Sequence, residues 1–274
     1  MTSSRRPLVM GVLNVTPDSF SDGARFLDVE SALAQARRLI GEGADILDVG
    51  GESTRPGAEP VSADEEIARV VPVIEAIRRM SDVRLSVDTM KPAVARAALA
   101  AGAQMWNDVT ALAGSPESLA VAAEAGCEVV LMHMQGKPRT MQRRPHYDDV
   151  VIEVAAFLAA RADEAMAAGV ARERIWLDPG LGFGKTAAHS LALLRELGRL
   201  TTLGFPVLVG ASRKSFVGAL AVDGSGPGDR LGGSIAAALL AVRAGAAAVR
   251  VHDVAATRQA LAILSAVEQG TDDA

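Results

Sequence analysis

The chain has 274 residues, 49% hydrophobic and 22% charged, with a formal net charge of −5. That composition suits a globular protein with a sizeable core, and its acidic balance excludes a basic field for nucleic acid or an anionic membrane. One cysteine, Cys127, excludes an internal disulfide and fits a reducing, cytoplasmic setting. The first six residues carry no apolar signal segment, and no apolar run reaches the ~20 residues of a membrane span.

In chain order, Leu8–Leu13 predicts a strand, followed by a polar loop from Asn14 to Gly23. Val29, Leu33, Ala36 and Ile40 recur on one helical face within Asp28–Glu42. Asp45–Val49 predicts a second strand and a loop to Pro60. Ser62 and Glu65 then open a helix with a capping-box pattern, its apolar face Ile67, Val70, Val71, Ile74 and Ile77. Strand Arg84–Val87, helix Pro92–Ala101 and strand Gln104–Trp106 follow, and Ser115-Pro116 predicts a helix start with proline in its first turn. Further on come strand Glu128–Met132, a long helix around Asp148–Ala168, strand Arg174–Leu177 and helix Ser190–Leu200. Strand Pro206–Val209, helical material to about Ala244, strand Ala247–Val251 and helix Val254–Glu268 complete the pattern.

Strands alternating with helices pair in parallel through right-handed crossovers. About eight such units in a chain near 250 residues predict an α/β fold, a closed (β/α)8 TIM barrel. It is expected as a single domain over 1–274, with poorly structured ends at about 1–6 and 269–274. An open doubly wound sheet is the alternative, but its G-x-G-x-x-G fingerprint is missing.

In such a barrel, ligands meet the loops that follow the strands. Those exits carry Asn14, Glu52, Asp88, Asn107, His133, Asp178, Arg213 with Lys214, and Arg250 with His252. Taken alone, an Asp or Asn after a strand reads more readily as a cap or turn residue; convergence of all of these groups on one rim points to one site. Asp88, Asn107 and Asp178 suit a planar ligand with adjacent N–H donors. The basic set falls on the seventh and eighth exits, where barrels bind phosphate. Asp178-Pro179-Gly180-Leu181-Gly182-Phe183-Gly184-Lys185-Thr186 ends like a phosphate loop, yet Gly180 leaves one residue too few before Gly184-Lys185-Thr186. Lys185 therefore reads as a loop or helix-start residue. The four scattered histidines give no zinc spacing.

From Gly11 to about Asp253 the chain resembles the dihydropteroate synthases of folate biosynthesis. The resemblance rests on the run Gly11–Gly23, on Gly51-Glu52-Ser53-Thr54-Arg55-Pro56-Gly57-Ala58 and on Ser86-Val87-Asp88-Thr89. It continues through Asn107-Asp108-Val109, Met132-His133-Met134-Gln135-Gly136, Asp178–Thr186, Ser212-Arg213-Lys214-Ser215 and Arg250-Val251-His252-Asp253. Ser190 stands where the family often has asparagine. The resemblance implies condensation of a dihydropterin-methyl diphosphate with p-aminobenzoate, releasing diphosphate through a dissociative displacement assisted by Mg²⁺. It also implies roles: Asp88, Asn107, Asp178 and Lys214 on the pterin edge, Phe183 and Arg250 on its faces, and Asn14, Arg250 and His252 on the diphosphate. Asn14 would also touch Mg²⁺, Thr54 would meet the pterin diphosphate, and Phe20, Thr54, Pro56 and Ser215 would form the p-aminobenzoate site. Asn14, Lys214, Arg250 and His252 are the expected catalytic set, small molecules the expected partners, and a homodimer the expected assembly. A pterin-binding methyltransferase and a silent pterin-binding protein are the competing readings; neither needs both Asn14 and the diphosphate set.

Overall fold

The computed structural model describes residues 6–15, 25–53, 59–137, 139–220 and 230–269. Phe20, Thr54, Pro56 and the outermost residues at both ends lie outside them. Eight strands run in parallel: β1 (Leu8–Asn14), β2 (Ile46–Gly50), β3 (Arg84–Asp88), β4 (Met105–Asp108), β5 (Glu128–Met132), β6 (Ile175–Asp178), β7 (Leu208–Val209) and β8 (Ala248–Val251). Their order is β6-β5-β4-β3-β2-β1-β8-β7. A bridge between Leu177 and Val207, with the Leu177 N–H donating to the Pro206 carbonyl at 2.9 Å, brings the two ends together. The sheet is a barrel, as the alternation predicts.

The helices are α1 (Arg25–Gly41), α2 (Ala63–Met80), α3 (Pro92–Ala100), α4 (Ser118–Ala125), α5 (Val150–Ala167), α6 (Ala187–Arg195), α7 (Gly198–Thr201), α8 (Ser215–Gly218), α9 (Leu231–Arg243) and α10 (Val254–Gln269). Among the described residues no helix is long and apolar enough to cross a membrane. Two boundaries differ from the sequence reading. Ser115-Pro116 makes a turn, with the Ser118 N–H donating to the Ser115 carbonyl, and α4 begins only at Ser118. The helix expected over Ser190–Leu200 breaks at Glu196-Leu197 into α6 and α7. Ser62 caps α2 by accepting from the Glu65 N–H, but the Glu65 side chain pairs with Arg69 along the helix, so half the predicted capping box forms.

Side-chain alternation divides each strand between two cores. Leu47, Val49, Leu85, Val87, Leu131 and Leu177 face outward into the large core beneath the helices. Met10, Ile46, Met105, Val130, Trp176, Leu208 and Ala248 point inward and fill the barrel's middle. Below them the Trp176 indole N–H donates to Glu128 Oε2 at 2.6 Å, and Arg84 pairs with the same carboxylate while lying 5.8 Å from the Trp176 ring centre. Above them the interior turns polar. In register, Asn14, Gly50, Asp88 and Asn107 stand side by side at the upper ends of β1 to β4.

The floor yields a stability prediction. Trp176→Phe removes one hydrogen bond to a carboxylate and should cost about 1.5–3 kcal/mol, whereas Trp176→Ala also opens a cavity and should cost about 3–5 kcal/mol, both by urea unfolding. Equal losses would show that the hydrogen bond, not ring packing, closes the floor.

Candidate active site

The polar rim is built around one cation. Arg250, on β8, donates from Nε to Asp48 Oδ2 at 2.6 Å and from Nη2 to Asp88 Oδ2 at 2.7 Å. Burial alone would lower its pKa, but the two carboxylates outweigh that and raise it, so the guanidinium stays charged. Asp48 also accepts from Asn107 Nδ2 at 3.0 Å. Three side chains from β2, β4 and β8 thereby meet at one oxygen.

Asp178 closes the opposite wall. Its Oδ1 accepts from the Gly180 N–H at 2.7 Å, which tightens the turn that follows β6. The Lys214 ammonium lies 3.9 Å from the Phe183 ring centre, a cation–π contact joining the sixth and seventh loops. Burial pushes Asp88 up to about 7 and Asp178 up to about 6, against the pull of Arg250 and Lys214. Burial and Arg250 bring Lys214 down to about 8, opposed by Asp178 and Asp88. The carboxylates and the ammonium are thus all poised near neutrality, as in sites that exchange protons or hydrogen bonds with a ligand.

His252 is held by Ser212. The hydroxyl accepts from the His252 backbone N–H at 3.2 Å and lies 3.0 Å from Nδ1. Nδ1 is thereby engaged by the hydroxyl, and Nε2 is the ring nitrogen left for a ligand. Burial, Arg250 and Arg213 lower its pKa to about 4, so the ring is neutral at physiological pH.

The structure thus gathers Asp88, Asn107, Asp178, Phe183, Lys214, Arg250 and His252 at the barrel mouth. Asn14 Oδ1 and Asp88 Oδ2 both face Gly50, lying 3.8 Å and 3.7 Å from where a Cβ would stand. Ser215 is the exposed first residue of α8.

Other rim candidates have different work. His133 is buried, its Nδ1 2.8 Å from the Lys185 ammonium and its ring edge-on to Phe157 at 4.8 Å. Burial and Lys185 lower its pKa to about 3. Arg213 swings outward to pair with Asp253 at 2.5 Å. Glu52 accepts from Lys91 Nζ at 2.8 Å and from the Val61 N–H at 3.0 Å, and Lys91 also pairs with the buried Glu66 at 2.6 Å, tying the second and third loops together.

Two residues passed unnoticed or undervalued in the sequence. Asp48 sits inside an apolar run and is fully buried; a lone carboxylate at an inward-facing strand position is the signal that could have found it. Lys185, read as a loop residue, is buried beneath the site. Besides His133 Nδ1, its ammonium donates to the carbonyls of Gly180 at 3.0 Å, Phe183 at 3.1 Å and His133 at 3.1 Å. Gly180, at φ +64°, explains the closeness: a Cβ there would lie 2.0 Å from the His133 carbonyl oxygen.

A family model described as pterin-binding enzyme matches residues 10–252. A dihydropteroate synthase of Synechocystis sp. is 48% identical over 96% of this chain and 91% of its own length. The chain belongs to the dihydropteroate synthase family. A structure of the Xanthomonas albilineans dihydropteroate synthase with 4-aminobenzoic acid superposes with a TM-score of 0.91 at 53% identity, covering 97% of this chain and 94% of that one. Another from the same organism, in complex with 7,8-dihydropteroate, gives 0.88 at 50% identity over 97% and 95%. Across that breadth the barrel carries the family's frame, and the mouth described above occupies the strand exits where barrel enzymes work.

Lys185 supplies a test of how the mouth is held. Lys185→Met leaves three carbonyls and an imidazole nitrogen without their donor and should cost about 3–5 kcal/mol of stability by thermal unfolding. Stability unchanged within 1 kcal/mol, roughly the size of one ordinary hydrogen bond, would mean that the glycine packing alone holds the loop.

Proposed function

We propose that this chain is a dihydropteroate synthase, joining a 7,8-dihydropterin-6-ylmethyl diphosphate to p-aminobenzoate with release of diphosphate. The observation that carries the reading is a mouth in which acceptors and donors separate. Asp88, Asn107 and Asp178 end β3, β4 and β6, while Arg250, His252 and Asn14 stand on the last and first strands and at their exits, in a chain about half identical to synthases of that name. A pterin edge offers N–H and amino donors to the acceptors, and Phe183 and Arg250 offer it two faces. Lys214, between Phe183 and Asp178, donates to the ring. The diphosphate takes Nε2 of His252 and the guanidinium of Arg250.

In the reaction, the bond from the pterin methylene carbon to the diphosphate oxygen breaks, and the electron pair leaves with diphosphate. The carboxylates of Asp88 and Asp178 stabilise positive charge on the pterin, and the basic groups stabilise the leaving anion. The amine nitrogen of p-aminobenzoate forms the new C–N bond and sheds its proton to solvent. No protein nucleophile is required. Ser215 borders the p-aminobenzoate side; Phe20, Thr54 and Pro56, proposed for the same side, lie outside the described residues.

Among the described residues no cluster of three or more His, Cys, Asp or Glu side chains suits a metal ion. The Asn14 amide oxygen is a hard donor at the mouth, of the kind that would help hold Mg²⁺. Bound there with the diphosphate, Mg²⁺ would neutralise the leaving group's charge. We also place the protein in the cytoplasm, where the buried Cys127, with its thiol pushed up to about 11 by burial, stays reduced. A homodimer is supported by an apolar cavity of about 330 Å³ among α6, α8 and α9, rimmed by the exposed Leu220 and Leu240.

Purified protein with Mg²⁺ should release diphosphate, and form dihydropteroate, only when both substrates are present. Release that ignores p-aminobenzoate would overturn the assignment. The raised carboxylate pKa values predict a pH profile for binding of a neutral pterin. Accepting its N–H groups needs ionised Asp88 and Asp178, so affinity should fall as pH drops through about 7 and then 6, where an exposed carboxylate would hold to about 4. Lys214 loses its proton above about 8, so affinity should fall on that side too. Calorimetry from pH 5 to 9 should give a bell; a flat line contradicts the assigned contacts.

A further inference from the structure

We propose that Asp48 is a positioning residue that decides which end of the Asn107 amide meets the ligand. The proposal rests on the reading above, with Asn107 at the pterin edge. An asparagine side chain carries a donor end and an acceptor end of nearly equal shape, and packing alone does not choose between them. Asp48 chooses. Its Oδ2 lies 3.0 Å from Asn107 Nδ2, and a carboxylate only accepts. One N–H of the amide is therefore committed to the protein, and this fixes the carbonyl oxygen as the end turned away from Asp48. The site then shows a ring edge three acceptors, from Asp88, Asn107 and Asp178, and selects an edge made of N–H donors. With the amide reversed, Asn107 would place a donor against such an edge and oppose it.

Two observations separate this from a packing role. Asp48 is fully buried among the inward-facing residues of β2, yet its Oδ1 has no hydrogen-bond partner among the described residues. A half-satisfied buried carboxylate is a costly way to fill a barrel, and an apolar side chain would fill it better. Its satisfied oxygen, by contrast, is the one that touches both Asn107 and Arg250, the latter at 2.6 Å. Arg250 Nε and Asn107 Nδ2 both donate to this one oxygen, and the amide has no reason to turn.

The test compares Asp48→Asn, Asp48→Ala, Asn107→Ala and the Asp48→Ala/Asn107→Ala pair. Binding of 6-hydroxymethylpterin, which lacks the diphosphate, is measured by calorimetry, alongside steady-state kinetics with both substrates. Asp48→Asn keeps an oxygen at the contact and should bind within about threefold of the wild type. Asp48→Ala should lose about ten- to a hundredfold, the size of one hydrogen bond involving a charged group. In the Asn107→Ala background, the same Asp48→Ala change should cost several-fold less, because the part of its effect that runs through the amide is gone and only the part through Arg250 remains. The KM for p-aminobenzoate should not move. The proposal fails if Asp48→Asn is as damaging as Asp48→Ala, if the two alanine losses add in full, or if both substrates' KM rise together. Should Asp48→Ala not fold, the wild type decides: of the two Asn107 side-chain NH2 protons, assigned by their absence in Asn107→Ala, the one that donates to Asp48 should keep its resonance when the pterin is added. Loss of that hydrogen-bonded resonance would overturn the proposal. A wild type that binds 6-hydroxymethylpterin but makes no dihydropteroate would sink the proposed reaction and leave the amide question open to the same binding cycle.

Discussion

A guanidinium inside a barrel must bring its own counter-charges, and that requirement shapes the upper half of this protein. Arg250 enters from β8 and finds Asp48 on β2 and Asp88 on β3. Both carboxylates come from strands beyond β1, so the ion pairs reach across two and three strand positions inside the barrel. Their cost is desolvation, visible in the raised pKa of Asp88. What they supply is direction: the edge of Arg250 bearing Nε and Nη2 is fixed, and so is the plane of the group.

The opposite wall is held by a different device. Asp178 ends β6 and is followed by three glycines with positive φ, at 180, 182 and 184. Gly180 and Gly184 let the loop lie directly on the backbone of the β5 exit, where any side chain would collide with the His133 or Gln135 carbonyl. Close backbone approach crowds carbonyl oxygens, and Lys185 answers with a buried ammonium that three of them share with the His133 ring. Phe183 is carried on that loop, so the ring wall is as rigid as the ammonium beneath it. Tyr147 adds to the clasp, its hydroxyl donating to the Gly184 carbonyl at 2.8 Å.

The barrel was legible in the sequence because its evidence is repetitive: apolar runs and helical faces alternate eight times, and one misplaced boundary does not change the count. The errors fell where a local signal competes with packing. Ser115-Pro116 satisfies the rules for a helix start but is spent on a turn, and Glu196-Leu197 breaks a helix whose apolar period continues through it. At the site, the residues at strand ends were readable because polar groups stand out after apolar runs. Asp48 was not, since it lies one turn of the pleat deeper, inside a run that otherwise reads as core. Lys185 was misjudged for the opposite reason. Its neighbours Gly184 and Thr186 suggest a phosphate loop, and once that reading failed nothing in sequence revealed that its partners would be backbone carbonyls from two loops.

The two walls and Arg250 together give the mouth a polarity. Carboxylates gather on β2, β3 and β6, where Asp48, Asp88 and Asp178 stand, while the guanidinium of Arg250 and the neutral imidazole of His252 belong to β8 and its exit. In the proposed reaction a carbon–oxygen bond separates into a cationic pterin and an anionic diphosphate. A ligand seated with its ring against the carboxylates and its phosphates against Arg250 and His252 aligns that developing dipole with the one already built into the protein. Such a field is in place before the bond breaks, so it need not be assembled during the step. The same arrangement disfavours the reverse orientation, because the phosphates would then meet the carboxylates of Asp88 and Asp178. Orientation and charge stabilisation therefore come from a single feature, the uneven division of charge across the barrel mouth.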